Sequence, residues 1–352
     1  MKILIIQQKM IGDVLTSSIL FEVLRQKYPT GKLDYLINEH TYPVVQNNPF
    51  INEFIFFTNK EVSSKIALFK LANRIKNENY DVVIDVYSKF SSNLISFLSG
   101  AKTRISKYKW YSSFIYTVTF KEQKTAKSNA GLAIENRIQF LEPVLNETAQ
   151  IVQPKIYLTK NEIKDSQKFL IKHKIDFDAP LFMISVLGSG DNKTYPIPYM
   201  AQLIDAIVSN TKAQILFNYI PSQEHKVKAL LNLCKIETKK HIFFNVFGKD
   251  LREFLAITKH CNALIGNEGG AVNMAKALNI STFSIYSPWI LKEAWNMFED
   301  GKNHVSVHLN DVKPKLYIGK SLKAMKKNSP TLYDKFSPDL ILPKLKAFLK
   351  GI

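Results

Sequence analysis

Short runs of β-branched and other apolar residues alternate along this chain with longer stretches in which apolar residues recur every three or four positions. In the first half the short runs are Ile3–Ile6, Leu33–Ile37, Ile55–Phe57, Val82–Val86 and Arg104–Ser106, and the longer stretches are Val14–Gln26, Ser64–Lys76 and Asn93–Leu98. A brief apolar run fits a strand buried on both faces, and a longer stretch with helical period fits an amphipathic helix. Strands separated by helix-length segments need crossover connections, so they lie parallel in a sheet with helices on its faces.

The rhythm restarts at Leu181–Val186, with further strands predicted at Ala213–Phe217, Ile242–Phe244, Ala263–Ile265 and Thr282–Ile285. Helices are predicted at Met200–Ser209, Gln223–Cys234, Leu251–Lys259 and Gly270–Leu278. Two similar α/β units follow, joined by a linker in the early part of Asn146–Asp178, ahead of an amphipathic stretch from Asn161 to Lys174. Ser337-Pro338-Asp339 reads as the start signal of a last helix, Leu340–Leu349.

A chain of 352 residues, 46% of them hydrophobic, can bury the cores of two ordinary domains. Two cysteines, Cys234 and Cys261, are too few for a disulfide framework and read as reduced core thiols. The opening Met-Lys-Ile-Leu-Ile-Ile-Gln lacks the apolar length of a signal peptide, and no apolar run reaches the roughly 18 residues of a membrane span, so a cytoplasmic protein is expected. The net charge of +18 adds long-range attraction to something anionic: nucleic acid, a phospholipid surface or a phosphorylated substrate. No zinc-finger spacing, arginine-rich arm or RNA-binding aromatic signature accompanies the lysines, which argues against nucleic acid.

Three loops carry candidate chemistry. Lys9-Met10-Ile11-Gly12-Asp13 leaves the first strand; Gly12 admits close backbone approach, and Asp13 is either a functional carboxylate or the N-cap of the next helix. Leu187 to Pro196 follows the first strand of the second unit, and its Gly188, Ser189, Gly190, Lys193 and Thr194 suit a diphosphate, which takes backbone amides and one mobile cation; a plain flexible turn is the alternative. Gly266 to Leu278 places Glu268, Gly269 and Gly270 between a strand and a helix of small residues, where free amides favour an anion and Glu268 can accept hydrogen bonds from sugar hydroxyls; a tight structural turn is the alternative. None of the three is a dinucleotide fingerprint or a Walker A loop. His304 and His308 are four apart, but Val305, Val307 and Leu309 alternate around them as in a strand, and no cysteine or second histidine pair completes a zinc set.

These loops, in this order on two α/β units, resemble glycosyltransferase family 9, the lipopolysaccharide heptosyltransferase family. MKILIIQQKMIGDVLTSSILFEVLRQKYP is similar to the family's opening strand, I-G-D loop and helix; LIGNEGGAVNMAKALNISTFSIYSP is similar to its donor-binding strand, helix and strand; and FGKDLREFLAIT resembles its K-x-S-L-x-E-L segment. The likeness covers most of the chain to about residue 290.

The resemblance implies a GT-B fold, α/β with two facing Rossmann-like domains and parallel sheets. Residues 1–155 would be an acceptor-binding domain, 156–335 a nucleotide-sugar-binding domain, and 336–352 a helix returning to the first domain. It implies an inverting, metal-independent glycosyltransferase with no cofactor, moving heptose or a related sugar from a nucleotide-diphosphate donor, ADP-linked, to a lipopolysaccharide or lipooligosaccharide core acceptor. Carried over by residue, Asp13 is the general base, Lys193 the phosphate-contacting lysine, Glu224 the ribose-holding acid, and Glu268, Gly269 and Gly270 contact donor sugar and diphosphate. Glu268 stands where the family usually has Asp and Asn273 where it has His, so charge compensation by that His must come from elsewhere, Lys193 or Lys276.

An anionic glycolipid acceptor fits the basic residues Lys102, Arg104, Lys107 and Lys109, interleaved with Tyr108, Trp110 and Tyr111, and suggests peripheral contact with the cytoplasmic face of the inner membrane. A solvated basic loop is the alternative. Two other functions remain compatible with such a fold: a catalytically silent sugar- or glycolipid-binding protein, against which Gly12, Asp13 and Lys193 argue, and a sugar-nucleotide epimerase, for which further acid–base residues are missing.

Overall fold

The computed structural model describes residues Met1–Ile352, which divide into two compact units, Met1–Tyr157 and Leu158–Ile352. The first unit runs β1 Lys2–Ile6, α1 Ile11–Ser17, α2 Ile19–Lys27, β2 Lys32–Asn38, β3 Glu53–Phe57, α3 Asn59–Ser63, α4 Lys65–Asn77, β4 Val82–Asp85, α5 Phe90–Leu98, β5 Thr103–Lys107, β6 Val118–Phe120, α6 Leu132–Ile138 and α7 Glu142–Leu145. Its six strands are all parallel, in the order β3-β2-β1-β4-β5-β6. That is the doubly wound Rossmann order, whose direction reverses between β1 and β4.

Local chemistry explains the helices. The Ser64 hydroxyl accepts from the Ala67 amide and starts α4, whose Leu68, Leu71, Ala72 and Ile75 then fall on one buried face against Leu4, Leu36 and Val83 of the sheet. The predicted helix Val14–Gln26 is two consecutive helices meeting at Ser18, whose hydroxyl donates to the Leu15 carbonyl at 2.7 Å.

The second unit runs α8 Lys160–Lys172, β7 Leu181–Ser185, α9 Ile197–Thr211, β8 Gln214–Asn218, α10 Glu224–Leu233, α11 Ile236–Lys239, α12 Leu251–Thr258, β9 Ala263–Asn267, α13 Gly270–Ala277, β10 Ser281–Ile285, α14 Lys292–Trp295, β11 His304–Val307, α15 Leu309–Val312, α16 Leu322–Lys327, α17 Ser329–Asp334 and α18 Leu342–Leu349. Its parallel sheet is ordered β11-β10-β9-β7-β8, with the reversal between β7 and β9. Thr159 and Glu162 open α8 with a reciprocal capping box, and Asp250 caps α12. The strand predicted at Ile242–Phe244 is reduced to a single bridge with Ile215, because the chain turns away at Val246, whose amide donates to the Phe243 carbonyl.

The last helix departs from expectation. Leu345, Phe348 and Leu349 of α18 belong to the core of the second unit, with Phe348 against Phe283 of β10 at 5.5 Å. Covering the apolar side of α9 (Leu203, Ile204, Ile207) and β10 uses the whole apolar face that α18 possesses, so its packing lies in the second unit. The tail before it is tied in as well: the fully buried Tyr195 donates to the Phe336 carbonyl at 2.8 Å. Cys234 and Cys261 are buried free thiols, and burial pushes the Cys234 thiol up to about 12. No helix is long and apolar enough to cross a membrane.

Candidate functional site

In open parallel sheets, ligands bind beyond the carboxyl ends of the strands where the strand order reverses. In the first unit that position is the loop after β1. α1 begins at Ile11 behind Met10, so Asp13 is the third residue of the helix and not its cap. The capping alternative is thereby removed, and the carboxylate is held by a different device. Arg137 of α6 donates from Nη2 to Asp13 Oδ1 at 2.6 Å, while its Nε reaches Ser17 Oγ at 2.8 Å and its Nη1 the Ala133 carbonyl at 2.7 Å. Every nitrogen of the nearly buried guanidinium is used, and Asp13 is fixed through one oxygen. Gly12 supplies the carbonyl that accepts from Thr16 Oγ1 at 2.7 Å.

On the neighbouring strand β4, Asp85 is fully buried and accepts from the Ser88 amide at 2.7 Å and Tyr116 Oη at 2.6 Å. Burial pushes its carboxyl up, opposed by those hydrogen bonds and by Lys109. It anchors the segment after β5 and is not a second open carboxylate.

The basic candidates separate. Lys102 and Arg104 lie at the amino end of β5, away from the edge carrying Asp13. The Arg104 guanidinium is consumed by the carbonyls of Ile115 and Ala101 at 2.8 and 2.6 Å. Lys107 lies at the carboxyl end and pairs with Glu122 at 3.4 Å.

In the second unit the reversal lies between β7 and β9, and the two glycine loops flank it. Gly188 turns the loop after β7 back on itself: a Cβ there would lie 2.2 Å from the Lys193 carbonyl oxygen, so only glycine fits. The Gly188 amide donates to Thr194 Oγ1 at 3.0 Å, and that hydroxyl donates to the Gly190 carbonyl at 2.9 Å. Asn267, at the end of β9, clamps the loop from the side. Its Nδ2 donates to the Ser185 and Val186 carbonyls at 3.0 and 2.8 Å, and its Oδ1 accepts from the Tyr195 amide at 2.6 Å. Ser287 Oγ and Trp289 Nε1 both donate to the Asn192 carbonyl at 2.8 Å. Ser189 and Gly190 are left exposed at the tip.

So held, Lys193 points its Nζ at Glu268 Oε1, 3.7 Å away, and over the Trp289 ring at 5.6 Å. The separation exceeds a hydrogen bond, and Glu268 Oε1 is buried without a hydrogen-bond partner. Burial pushes the Glu268 carboxyl up, with Lys193 opposing. A buried carboxylate oxygen left open beside a lysine is a place for a ligand hydroxyl. Gly269 precedes α13 at φ +147°, a region that favours glycine, and no side chain caps the helix. The first amides of α13, beginning at Gly270, therefore remain free for an anion, while Asn273, one turn along, donates its amide to the Gly269 carbonyl at 3.3 Å and keeps its side chain for a ligand.

Glu224 opens α10 beyond β8, the strand next to β7, and pairs with Lys228 at 2.7 Å. Its neighbour Lys226 reaches Asp191 at 2.6 Å, which ties this turn to the Lys193 loop. The structure thus brings the second-unit candidates to one edge of one sheet. No group of three His, Cys, Asp or Glu side chains could hold a metal ion. His304 and His308 instead flank β11 and are bonded locally, to Thr282 Oγ1 and the Ser287 carbonyl. A cavity of about 320 Å³ between α8 and α12 contains Glu162 and Arg252, but these pair with each other at 2.7 Å.

Sequence reasoning missed four contributors: Arg137, Asn267, Trp289 and Lys326, whose Nζ lies 5.0 Å from the Trp289 ring centre. Arg137 had a legible trace. A charged residue among Leu132, Ala133, Ile134 and Ile138 is one that burial forces to find a partner.

The family model described as Glycosyltransferase family 9 (heptosyltransferase) matches residues 68–325. The chain is 22% identical over 297 residues to lipopolysaccharide heptosyltransferase 2 of Escherichia coli K12, covering 82% of this chain and 83% of that protein. Among solved structures it is similar to the glycosyl transferase family 9 protein of Veillonella parvula, with TM-score 0.77, 17% identity, and coverage of 100% of this chain and 97% of the other. It is also similar to the E. coli ADP-heptose lps heptosyltransferase II, with TM-score 0.73, 17% identity, and coverage of 99% and 98%.

Proposed function

The chain belongs to glycosyltransferase family 9, a family of GT-B glycosyltransferases, and from that premise we propose that it moves heptose or a related sugar from an ADP-linked donor to a lipopolysaccharide-type core acceptor, with inversion. The observation that carries this reading is the convergence, at the β7/β9 reversal, of Lys193, the free amides of α13 and the partnerless oxygen of Glu268. The names of the relatives, which specify heptose transfer and in one case ADP-heptose, support the choice of sugar and base.

In this proposal the second unit holds the donor. Lys193 and the amides at Gly270 meet the diphosphate, Glu268 accepts from a sugar hydroxyl, and Glu224 accepts from the ribose. The exposed tip at Ser189 and Gly190 lies alongside the phosphates, and Thr194 braces the loop through its hydroxyl. The first unit holds the acceptor. An acceptor hydroxyl oxygen attacks the anomeric carbon from the face opposite the diphosphate, its proton passes to Asp13, and the anomeric C–O bond to the diphosphate breaks. Arg137 occupies Oδ1, so Oδ2 takes the proton. The negative charge that develops on the departing diphosphate is met by Lys193 and the helix end, and the step is proposed to run without a metal. Asn273 donates and accepts but carries no charge, so Lys193 is the cation on which the leaving group depends.

Lys193→Ala is expected to weaken ADP binding by about 1.5–3 kcal/mol, the range for a hydrogen bond to a charged group. Titration calorimetry on the purified variant measures this. A dissociation constant equal to that of the unchanged protein would remove Lys193 from the donor site and, with it, the proposed role of the β7 loop.

A further inference from the structure

The edge of the first unit that carries Asp13 also displays strongly exposed aromatic side chains. Trp110 is 81% exposed and Phe90 73%, whereas Phe114, also exposed, lies further along the segment toward the opposite edge, where Ile115 meets Arg104. Tyr108 and Tyr111 stand beside them, roughly half exposed, with Tyr111 in edge contact with Trp110 at 5.7 Å. Water-facing aromatic surface is unfavourable, and a slack loop would fold it inward. This one is held out. The Tyr108 amide donates to the Phe120 carbonyl at 2.7 Å, Lys109 Nζ to the Ser88 carbonyl, and Arg104 Nε to the Ile115 carbonyl at 2.8 Å. Tyr116 closes the segment with its hydroxyl between Asp85 and Asn93, at 2.6 and 2.8 Å.

The charge around these rings is predominantly positive: Lys89, Lys107, Lys109 and Lys121 stand on this edge, with Glu122 paired to Lys107 at 3.4 Å. Lys109 and Lys121 lie over the rings of Tyr111 and Tyr108 at 5.9 and 5.7 Å. Indole and phenol rings at the tip with lysines around their base match a bilayer interface, where aromatic rings sit at headgroup depth and ammonium groups reach anionic phosphates. The patch is also continuous with the Asp13 loop: Ser91 Oγ, next to Phe90, donates to Gln8 Oε1 at 2.5 Å. β5, from which the aromatic segment leaves, is two strands from β1, about 10 Å across the sheet.

We propose that Phe90, Tyr108, Trp110 and Tyr111 form a membrane-inserting crown, seated in an anionic bilayer by the surrounding lysines, so that a lipid-borne acceptor reaches the Asp13 edge from the membrane surface. The benefit to catalysis rests on the function proposed above, but insertion itself requires neither donor nor acceptor. It is therefore tested with the whole protein and vesicles alone.

The full-length protein is expected to sediment with vesicles of mixed phosphatidylcholine and phosphatidylglycerol and to remain in solution with phosphatidylcholine alone. The pair Trp110→Ser with Phe90→Ser, which alters only exposed side chains, should melt like the unchanged protein and partition about tenfold or more weakly. Tryptophan emission should shift to the blue on mixed vesicles and be quenched by brominated acyl chains. Trp110→Phe should abolish both effects, since Trp289 and Trp295 lie in the other unit. Equal partitioning of the double variant, or vesicle binding with no shift and no quenching, overturns insertion. So does a dimer in sedimentation equilibrium that the double variant dissolves while vesicles bind neither protein; that result would assign the crown to a second copy of the chain.

Discussion

Asp13→Asn is expected to lower kcat by about 10²–10⁴-fold while leaving ADP affinity close to that of the unchanged protein, because general-base catalysis contributes on that scale. The amide oxygen can still accept from Arg137, so the 2.6 Å contact and the first turn of α1 have no cause to rearrange. The variant loses proton affinity and the charge facing the guanidinium. The second effect appears as a modest fall in melting temperature, separable from turnover by comparing the two measurements. Activity within a few-fold of the unchanged enzyme would leave Asp13 as a partner for Arg137 and move the base to another carboxylate.

Gly188→Ala is expected to damage the donor loop and the fold together. The added Cβ would meet the Lys193 carbonyl oxygen at 2.2 Å and its carbonyl carbon at 2.6 Å, and neither is the end of a flexible side chain. The loop must open, which costs about 1–3 kcal/mol or more by the measure of overpacked sites. Opening it also breaks the Gly188–Thr194 hydrogen bond and displaces Lys193. Thermal melting should drop by several degrees and ADP affinity should fall in the same variant. Gly190→Ala is the control: its Cβ would have only the Asn192 side-chain oxygen near it, at 3.6 Å, and the change should lie within about 0.5 kcal/mol. Equal melting of the two variants would contradict the close approach at Gly188.

The doubly wound architecture was legible because parallel strands buried on both faces read as uninterrupted apolar runs, as in Ile3–Ile6 and Leu181–Ile184. It failed at Ile242–Phe244, where the apolar run is real but the chain leaves the sheet edge after one bridge. The three loops were legible because glycine, Asp and Lys at strand ends mark places where backbone and charge approach a ligand. Their supports were not. Arg137 meets Asp13 from 124 residues away and Asn267 meets Tyr195 from 72, pairings with no local period. Lys102 and Arg104 misled for the opposite reason: nearness in sequence to Lys107 suggested one basic patch, whereas they start β5 and Lys107 ends it. The length of a strand separates them. The final helix was placed by resemblance, and the apolar face that fixes it in the second unit is visible only with α9 and β10 in place.

The most direct test of the proposed function is transfer itself. Purified protein is incubated with ADP-heptose and an inner-core glycolipid lacking its next heptose, and glycolipid mass and free ADP are followed together. The proposal predicts that each acceptor gains a single heptose as one ADP is released, with the new linkage of opposite anomeric configuration to the donor and with Lys193→Ala strongly impaired. Consumption of a UDP- or GDP-linked sugar in place of ADP-heptose, or ADP release with no gain in acceptor mass, would contradict it.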